Sequence, residues 1–95
     1  MITLIYNDMS GLTLPEGKIE EFVYQFITEY QDKDIDLCYG QELILNYFRL
    51  AIRENKIPAE SVVVKYNDTT VKINSRGRLE KWPMPDYLCD VLSKL

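Results

Sequence analysis

Apolar residues are spaced along the chain in two alternating periods. ITLIY at 2–6 is a short run rich in β-branched residues and reads as a strand, closed by the turn residues of NDMSG. From there the period lengthens. Ile19, Phe22, Val23, Phe26, Ile27 and Tyr30 recur at the spacing of one helical stripe, while Glu20, Glu21, Gln25, Thr28 and Glu29 fall on the opposite side. Pro15 and Glu16 suit a first helical turn, the one by its fixed φ, the other by its charge against the helix dipole. IDLCY then reads as a second short strand, expected to be buried.

Gly40 is expected to make a tight turn into a second helix over about 41–55. Leu43, Ile44, Leu45, Tyr47, Phe48, Leu50, Ala51 and Ile52 cover most of its circumference, so it should be packed on more than one side and central to the fold. What remains is a narrow polar stripe, Glu42, Asn46, Arg49 and Arg53, expected to be solvated or to form an edge for a partner. ENKIPAES is a connection, because Pro58 cannot continue a helix. VVVKY (62–66) and TVKI (70–73) read as a β-hairpin, and RLEKW as a further strand after a turn at Gly77. DYLCDVLSKL reads as a closing helix, with Trp82 as a plug beneath it. The order β-α-β-α-β-β-(β)-α predicts one α+β (or α/β) domain spanning 1–95, with a mixed sheet of 4–5 strands and about three helices.

Composition narrows the class. The chain has 95 residues, 46% hydrophobic and 27% charged, an ordinary globular balance for a single domain. The first residues carry no basic n-region followed by a long apolar core, so a cytoplasmic protein is expected, from a bacterium or a virus that infects one. Cys38 and Cys89 are far apart with no CxxC, which predicts reduced core residues. The net charge of -4 is unevenly placed. Residues 1–42 hold nine acids against two bases (-7), and residues 43–95 hold nine bases against six acids (+3). Such a division can steer a charged partner or align two copies head to tail.

The candidate chemistry is mostly eliminated. Without histidine there is no Ser-His or Cys-His pair and no imidazole ligand for a metal. GLTLPEGKI has five residues between Gly11 and Gly17 where a P-loop has four, and Ile19 stands where Mg²⁺ needs a hydroxyl, so it reads as the start of a helix. DKDID spaces three acids like the opening of a calcium loop, but Leu37 and Leu43 occupy the later glycine and glutamate positions. No catalytic residue, metal or cofactor is expected. The candidates for partner binding are the stripe residues Glu42, Arg49 and Arg53, and a basic hairpin carrying Lys65, Lys72, Arg76, Arg78 and Lys81. Basic residues near Tyr66 and Trp82 also fit phosphate contacts and base stacking, whereas lysines on strand edges serve equally to discourage edge pairing.

From about Asp36 onward a family resemblance adds to this reading. Glu42, Leu45, Arg49, Ile52, Glu54, Lys56 and Ile57 are followed by Pro58, Glu60 and Val62, a strand hairpin, and Gly77, Arg78, Leu79, Trp82 and Pro83. This pattern resembles the C-terminal segment of ABC-type ATPases of the RecF/OLD kind, over roughly 60 residues. Tyr39 and Gly40 stand where that family has a Thr-His pair, and neither its Walker A loop nor its signature motif is present. The resemblance implies an ATPase-like lobe without the engine: a piece that docks on such a machine or competes with one. The expected function is thus a non-enzymatic protein-interaction module, an accessory, regulator or inhibitor of a larger machine. Binding of nucleic acid by the hairpin 65–81 is the alternative, and a second copy of the chain is a further candidate partner.

Overall fold

In a computed structural model of the chain, residues 1–7, 9–66 and 69–80 are described. The elements are β1 (Ile2–Tyr6), α1 (Glu16–Tyr30), β2 (Ile35–Tyr39), α2 (Glu42–Arg53), a 3-10 turn at Ala59–Ser61, β3 (Val62–Tyr66) and β4 (Thr69–Lys72). They follow the expected order and make a mixed four-stranded sheet, β2-β1-β3-β4. β1 runs parallel to both β2 and β3, and β4 returns antiparallel to β3. The expected closing helix and Trp82 lie outside the described residues. Of the expected fifth strand, Leu79 forms a single antiparallel bridge with Ile73.

Both helices pack on one face of the sheet. Ile2, Leu4, Val62, Val64 and Val71 alternate inward from the strands. They meet Ile19, Val23, Phe26 and Ile27 of α1 and Ile44, Leu45, Phe48, Ala51 and Ile52 of α2 in one core. Phe26 joins the helices, its ring edge-on to Phe48 with centroids 6.0 Å apart. Each such fully buried side chain contributes about 1.5–3 kcal/mol, so the two apolar stripes suffice to fix the helices on the sheet. The chain steps from β1 to β2 in one direction and from β2 back past β1 to β3 in the other. With both helices on the same face, these crossovers have opposite hands, and one departs from the right-handed form nearly all such units take.

Helix α2 ends as its sequence allows. Asn55 takes a positive φ of 61°, Lys56 N–H donates to the Ala51 carbonyl and Asn55 N–H to that of Ile52, a Schellman closure with asparagine in the usual glycine place. At the start of α2, Gly40 serves close approach and not a left-handed turn: a Cβ there would stand 3.0 Å from the Gly11 carbonyl oxygen. Gly11 is tighter still, since its Cβ would fall 2.3 Å from the Tyr39 carbonyl carbon. That contact lets Leu12 pair with the end of β2, its N–H donating to Cys38 O and its carbonyl accepting from Gly40 N–H. The first glycine of GLTLPEGKI, Gly11, thus serves backbone packing, whereas a Cβ on Gly17 would meet open space.

Two expectations are corrected here. β2 is not buried but, among the described strands, lies at an edge of the sheet, because the chain returns past β1 to lay down β3. Cys38 is correspondingly not a core residue. It is exposed and free, because Ile35, Leu37 and Tyr39 take the helix-facing side of the strand and leave Asp36 and Cys38 on the other. Cys89 lies outside the described residues.

Candidate functional site

The polar stripe of α2 divides. Glu42 and Arg53, at the two ends of the helix, are exposed, but Asn46 and Arg49 between them are only 2% and 3% exposed. The expected solvated strip is therefore, in its middle, an interior polar contact. A buried guanidinium requires acceptors, and these are supplied. Arg49 Nε donates to the Gly77 carbonyl at 2.8 Å, and a terminal nitrogen donates to Asn46 Oδ1 at 3.2 Å. Arg49 thereby pins to α2 a turn that lies 28 residues further along the chain.

That turn is held in shape by its own residues. Asn74 Oδ1 accepts from the backbone N–H groups of both Arg76 and Arg78, at 2.9 and 3.1 Å. Gly77 N–H donates to the Asn74 carbonyl, and Asn74 N–H to that of Arg78. Gly77 has φ +79°, where a side chain is strained, and its Cβ would stand 2.4 Å from the Arg49 carbonyl oxygen and 3.4 Å from Arg53 Cβ. The turn thus sits directly on the last turns of α2. It brings Arg76 and Arg78, both exposed, beside the exposed Arg53. Two groups of residues read separately in the sequence meet at this corner. Arg53 also lies in the last turn of α2, where a cation complements the helix dipole.

The other basic candidates stand elsewhere. Lys65 pairs with Thr70 and Lys72 with Val63, which puts both lysines on the face of the sheet away from the helices, diagonal to one another and exposed. Lys81 lies outside the described residues. Glu42 occupies the first turn of α2, at the far end of that helix from Arg53.

A second cluster was not singled out from the sequence. Tyr6, Tyr39 and Tyr66 are the last residues of β1, β2 and β3, so the parallel register gathers them at one end of the sheet. The rings of Tyr6 and Tyr66 stack with centroids 5.6 Å apart, and Tyr39 is tilted against Tyr6 at 5.4 Å. Tyr39 is 1% exposed, and its hydroxyl has no hydrogen-bond partner among the described residues. Burial, then the neighbouring Tyr6 and Glu42, push its pKa well above the usual tyrosine value. The sequence signal was there: each of the three parallel strand runs ends in tyrosine, and two of them continue as Tyr-Asn-Asp, at 6–8 and 66–68.

On α1, Tyr24 donates from its hydroxyl to Glu54 at 2.9 Å beside a shallow, open depression lined by Tyr24, Gln25, Thr28 and Glu29. Burial first, then that carboxylate, push the Tyr24 pKa up to about 12. Among the described residues no group of three or more His, Cys, Asp or Glu side chains is placed to hold a metal ion. None of the described helices is long and apolar enough to cross a membrane. No family model matches the chain, and no curated protein or solved structure matches it.

Proposed function

We propose that this chain is a non-enzymatic protein-interaction module that offers the corner formed by Arg53, Arg76 and Arg78 to an acidic surface of a partner protein. The observation carrying this reading is that Arg49, Asn74 and Gly77 hold the turn before any partner arrives. A preformed turn loses little entropy on binding, and guanidinium groups on it meet carboxylates in paired hydrogen bonds. The resemblance of the second half of the chain to the C-terminal segment of RecF/OLD-like ATPases makes such a machine the partner class of first choice. The chain would act there as an accessory, regulator or inhibitor.

The test is a complex with a candidate ATPase partner that survives size exclusion at low salt. The triple variant Arg53→Glu/Arg76→Glu/Arg78→Glu should lose that complex and keep its circular dichroism spectrum. A complex that persists in the triple variant would refute the corner as the binding surface.

Binding of nucleic acid is the second reading, favoured by Lys65 and Lys72 sharing the face of the sheet away from α1 and α2. It predicts affinity for an oligonucleotide that falls steeply with salt and with Lys65→Glu/Lys72→Glu. No mobility shift at low salt would end it.

A further inference from the structure

We infer that the face of the sheet away from α1 and α2 is a contact surface for a second copy of the chain, related to the first by a two-fold axis along the strands. The inference is independent of the arginine corner.

Three parallel strands are ordinarily covered on both faces, because their crossovers place helices on each. Here α1 and α2 both pack on one face. On the other, the register sets Asp36, Thr3, Val63 and Lys72 side by side in one row across β2, β1, β3 and β4. Cys38, Ile5, Lys65 and Thr70 make the next row. None of these residues is buried, and those on β2 and β4 are exposed.

The order of charge in the first row selects the occupant. An acid stands on β2, a lysine on β4, and Thr3 and Val63 between them. Asp36 and Lys72 are three strand spacings apart, about 14 Å, too far to pair within one chain. Neither has an ion-pair partner among the described residues. A two-fold axis along the strands, between β1 and β3, reverses the row of the facing copy. Asp36 of each copy then lies over Lys72 of the other, twice per dimer, with Thr3 over Val63. An axis across the strands would set Asp36 over Asp36, so charge decides between the two. In the second row Ile5 lies under the methylene stem of the other copy's Lys65, whose ammonium reaches past the strand end to water. Cys38 lies over Thr70. A polyanion would gain from the lysines but meet Asp36 in the same row, which favours a second copy over nucleic acid on this face. The footprint is far below the about 800 Å² per partner of a standard interface, so the dimer is weak and salt-sensitive. Glu80, set beside Lys72 by the bridge of Ile73 to Leu79, weakens it further.

Sedimentation velocity on the full chain tests this, from micromolar to near-millimolar concentration at low salt. The monomer mass is 11.2 kDa. The weight-average mass of the wild type should rise with concentration, approach twice that value without exceeding it, and fall back on adding salt. Asp36→Lys and Lys72→Asp each turn two attractions into two repulsions and should weaken the dimer about tenfold. Asp36→Lys/Lys72→Asp in one chain re-forms both pairs with their signs exchanged and should restore it. Lys65→Thr removes a like charge near the axis and should strengthen the dimer. In a Cys89→Ser background, Thr70→Cys should give a disulfide-linked dimer through Cys38 on mild oxidation, and Cys38 alone should not. A wild type that is monomeric throughout overturns the inference. So does a double charge exchange that associates no better than the single variants, growth beyond a dimer, or a dimer that fails to cross-link through Cys38. A monomeric wild type that binds an oligonucleotide through Lys65 and Lys72 also overturns it and gives this face to nucleic acid. None of these outcomes touches binding of another protein at Arg53, Arg76 and Arg78.

Discussion

Arg49 is the residue whose change should be most informative, because it bears on the stability of the fold and on the shape of the proposed binding corner. Its side chain is 3% exposed and holds the Gly77 carbonyl and the Asn46 side chain. Arg49→Ala removes both hydrogen bonds, leaves two acceptors facing a void, and detaches the turn from α2. Leaving buried acceptors unpaired costs about 1–3 kcal/mol, and the void left by the side chain adds to it. For a domain of this length total stability is about 5–14 kcal/mol, so the loss is a large share of the whole. Arg49→Met keeps most of the volume but none of the donors, and should cost about 1–3 kcal/mol for the unpaired acceptors alone. Gly77→Ala attacks the same contact from the other side. A left-handed alanine costs about 1–2 kcal/mol. Its Cβ would also overlap the Arg49 carbonyl oxygen at 2.4 Å, which the helix backbone cannot yield, so the turn must move and the Arg49 bond must break.

Urea unfolding followed by far-ultraviolet circular dichroism reads these losses, with the m value checking that the transition stays two-state. Because both substitutions break one contact, Arg49→Ala/Gly77→Ala should cost less than the sum of the single changes, by about 1–2 kcal/mol. Two results would refute the account. One is a cost below about 1 kcal/mol for Arg49→Ala, which would mean the guanidinium is not holding buried acceptors. The other is strict additivity of the pair to within about 0.5 kcal/mol, which would mean that Arg49 and Gly77 are energetically independent.

Tyr39→Phe removes a buried hydroxyl without a partner among the described residues and should raise stability by about 1 kcal/mol at neutral pH; a loss of that size would show that the hydroxyl is satisfied. The same variant has a pH signature. The folded-state pKa of Tyr39 lies above its unfolded value near 10, so its neutral form stabilises the fold fully below about pH 10, and that contribution is lost as the unfolded chain ionises above it. Wild-type stability should therefore fall more steeply than that of Tyr39→Phe above pH 10, and parallel curves would contradict the burial. Cys38 should react with a maleimide in the native state about as fast as in the unfolded chain; labelling by mass spectrometry that needs denaturant would put Cys38 back in the core.

Much of the framework was legible in the sequence, and the misreadings have specific causes. β1, β2 and β3 coincide with ITLIY, IDLCY and VVVKY, because strands this short are delimited by the turn residues around them. The face of α1 was readable because its stripe is narrow and its acids mark the outside. The middle of the α2 stripe was not. A polar strip on a helix apolar nearly all round looks the same whether water or a distant turn covers it, and arginine is seldom buried. What covers it is Gly77, 28 residues on, a separation that no helical period reports. The exposure of Cys38, by contrast, was accessible. Asp36 had to face outward, and period-two alternation then carries Cys38 to the same side. The gathering of Tyr6, Tyr39 and Tyr66 needed the strand order, because three strand ends become neighbours only in a sheet where β1 lies between β2 and β3.

The division of the α2 stripe separates folding from recognition within one helix. Arg49 and Arg53 are four residues apart on the same face, yet the turn seats itself on the first and passes beside the second. Charge reversal at exposed positions such as Arg53, Arg76 and Arg78 ordinarily changes stability by no more than about 0.5 kcal/mol, because water solvates either sign. Loss of Arg49 costs several times that, because a buried acceptor has no water to turn to. The corner can therefore vary in sequence and exchange partners while the turn that displays it stays fixed, and the two roles can be told apart by measuring stability and binding on the same variants. Arg53→Glu should weaken association and leave the urea midpoint in place. Arg49→Met should lower the midpoint and weaken association too, since a loosened turn no longer presents Arg76 and Arg78 in a fixed arrangement. If Arg49→Met lowers the midpoint but binds as the wild type does, the corner does not depend on being preformed, and the argument that the proposed function rests on fails.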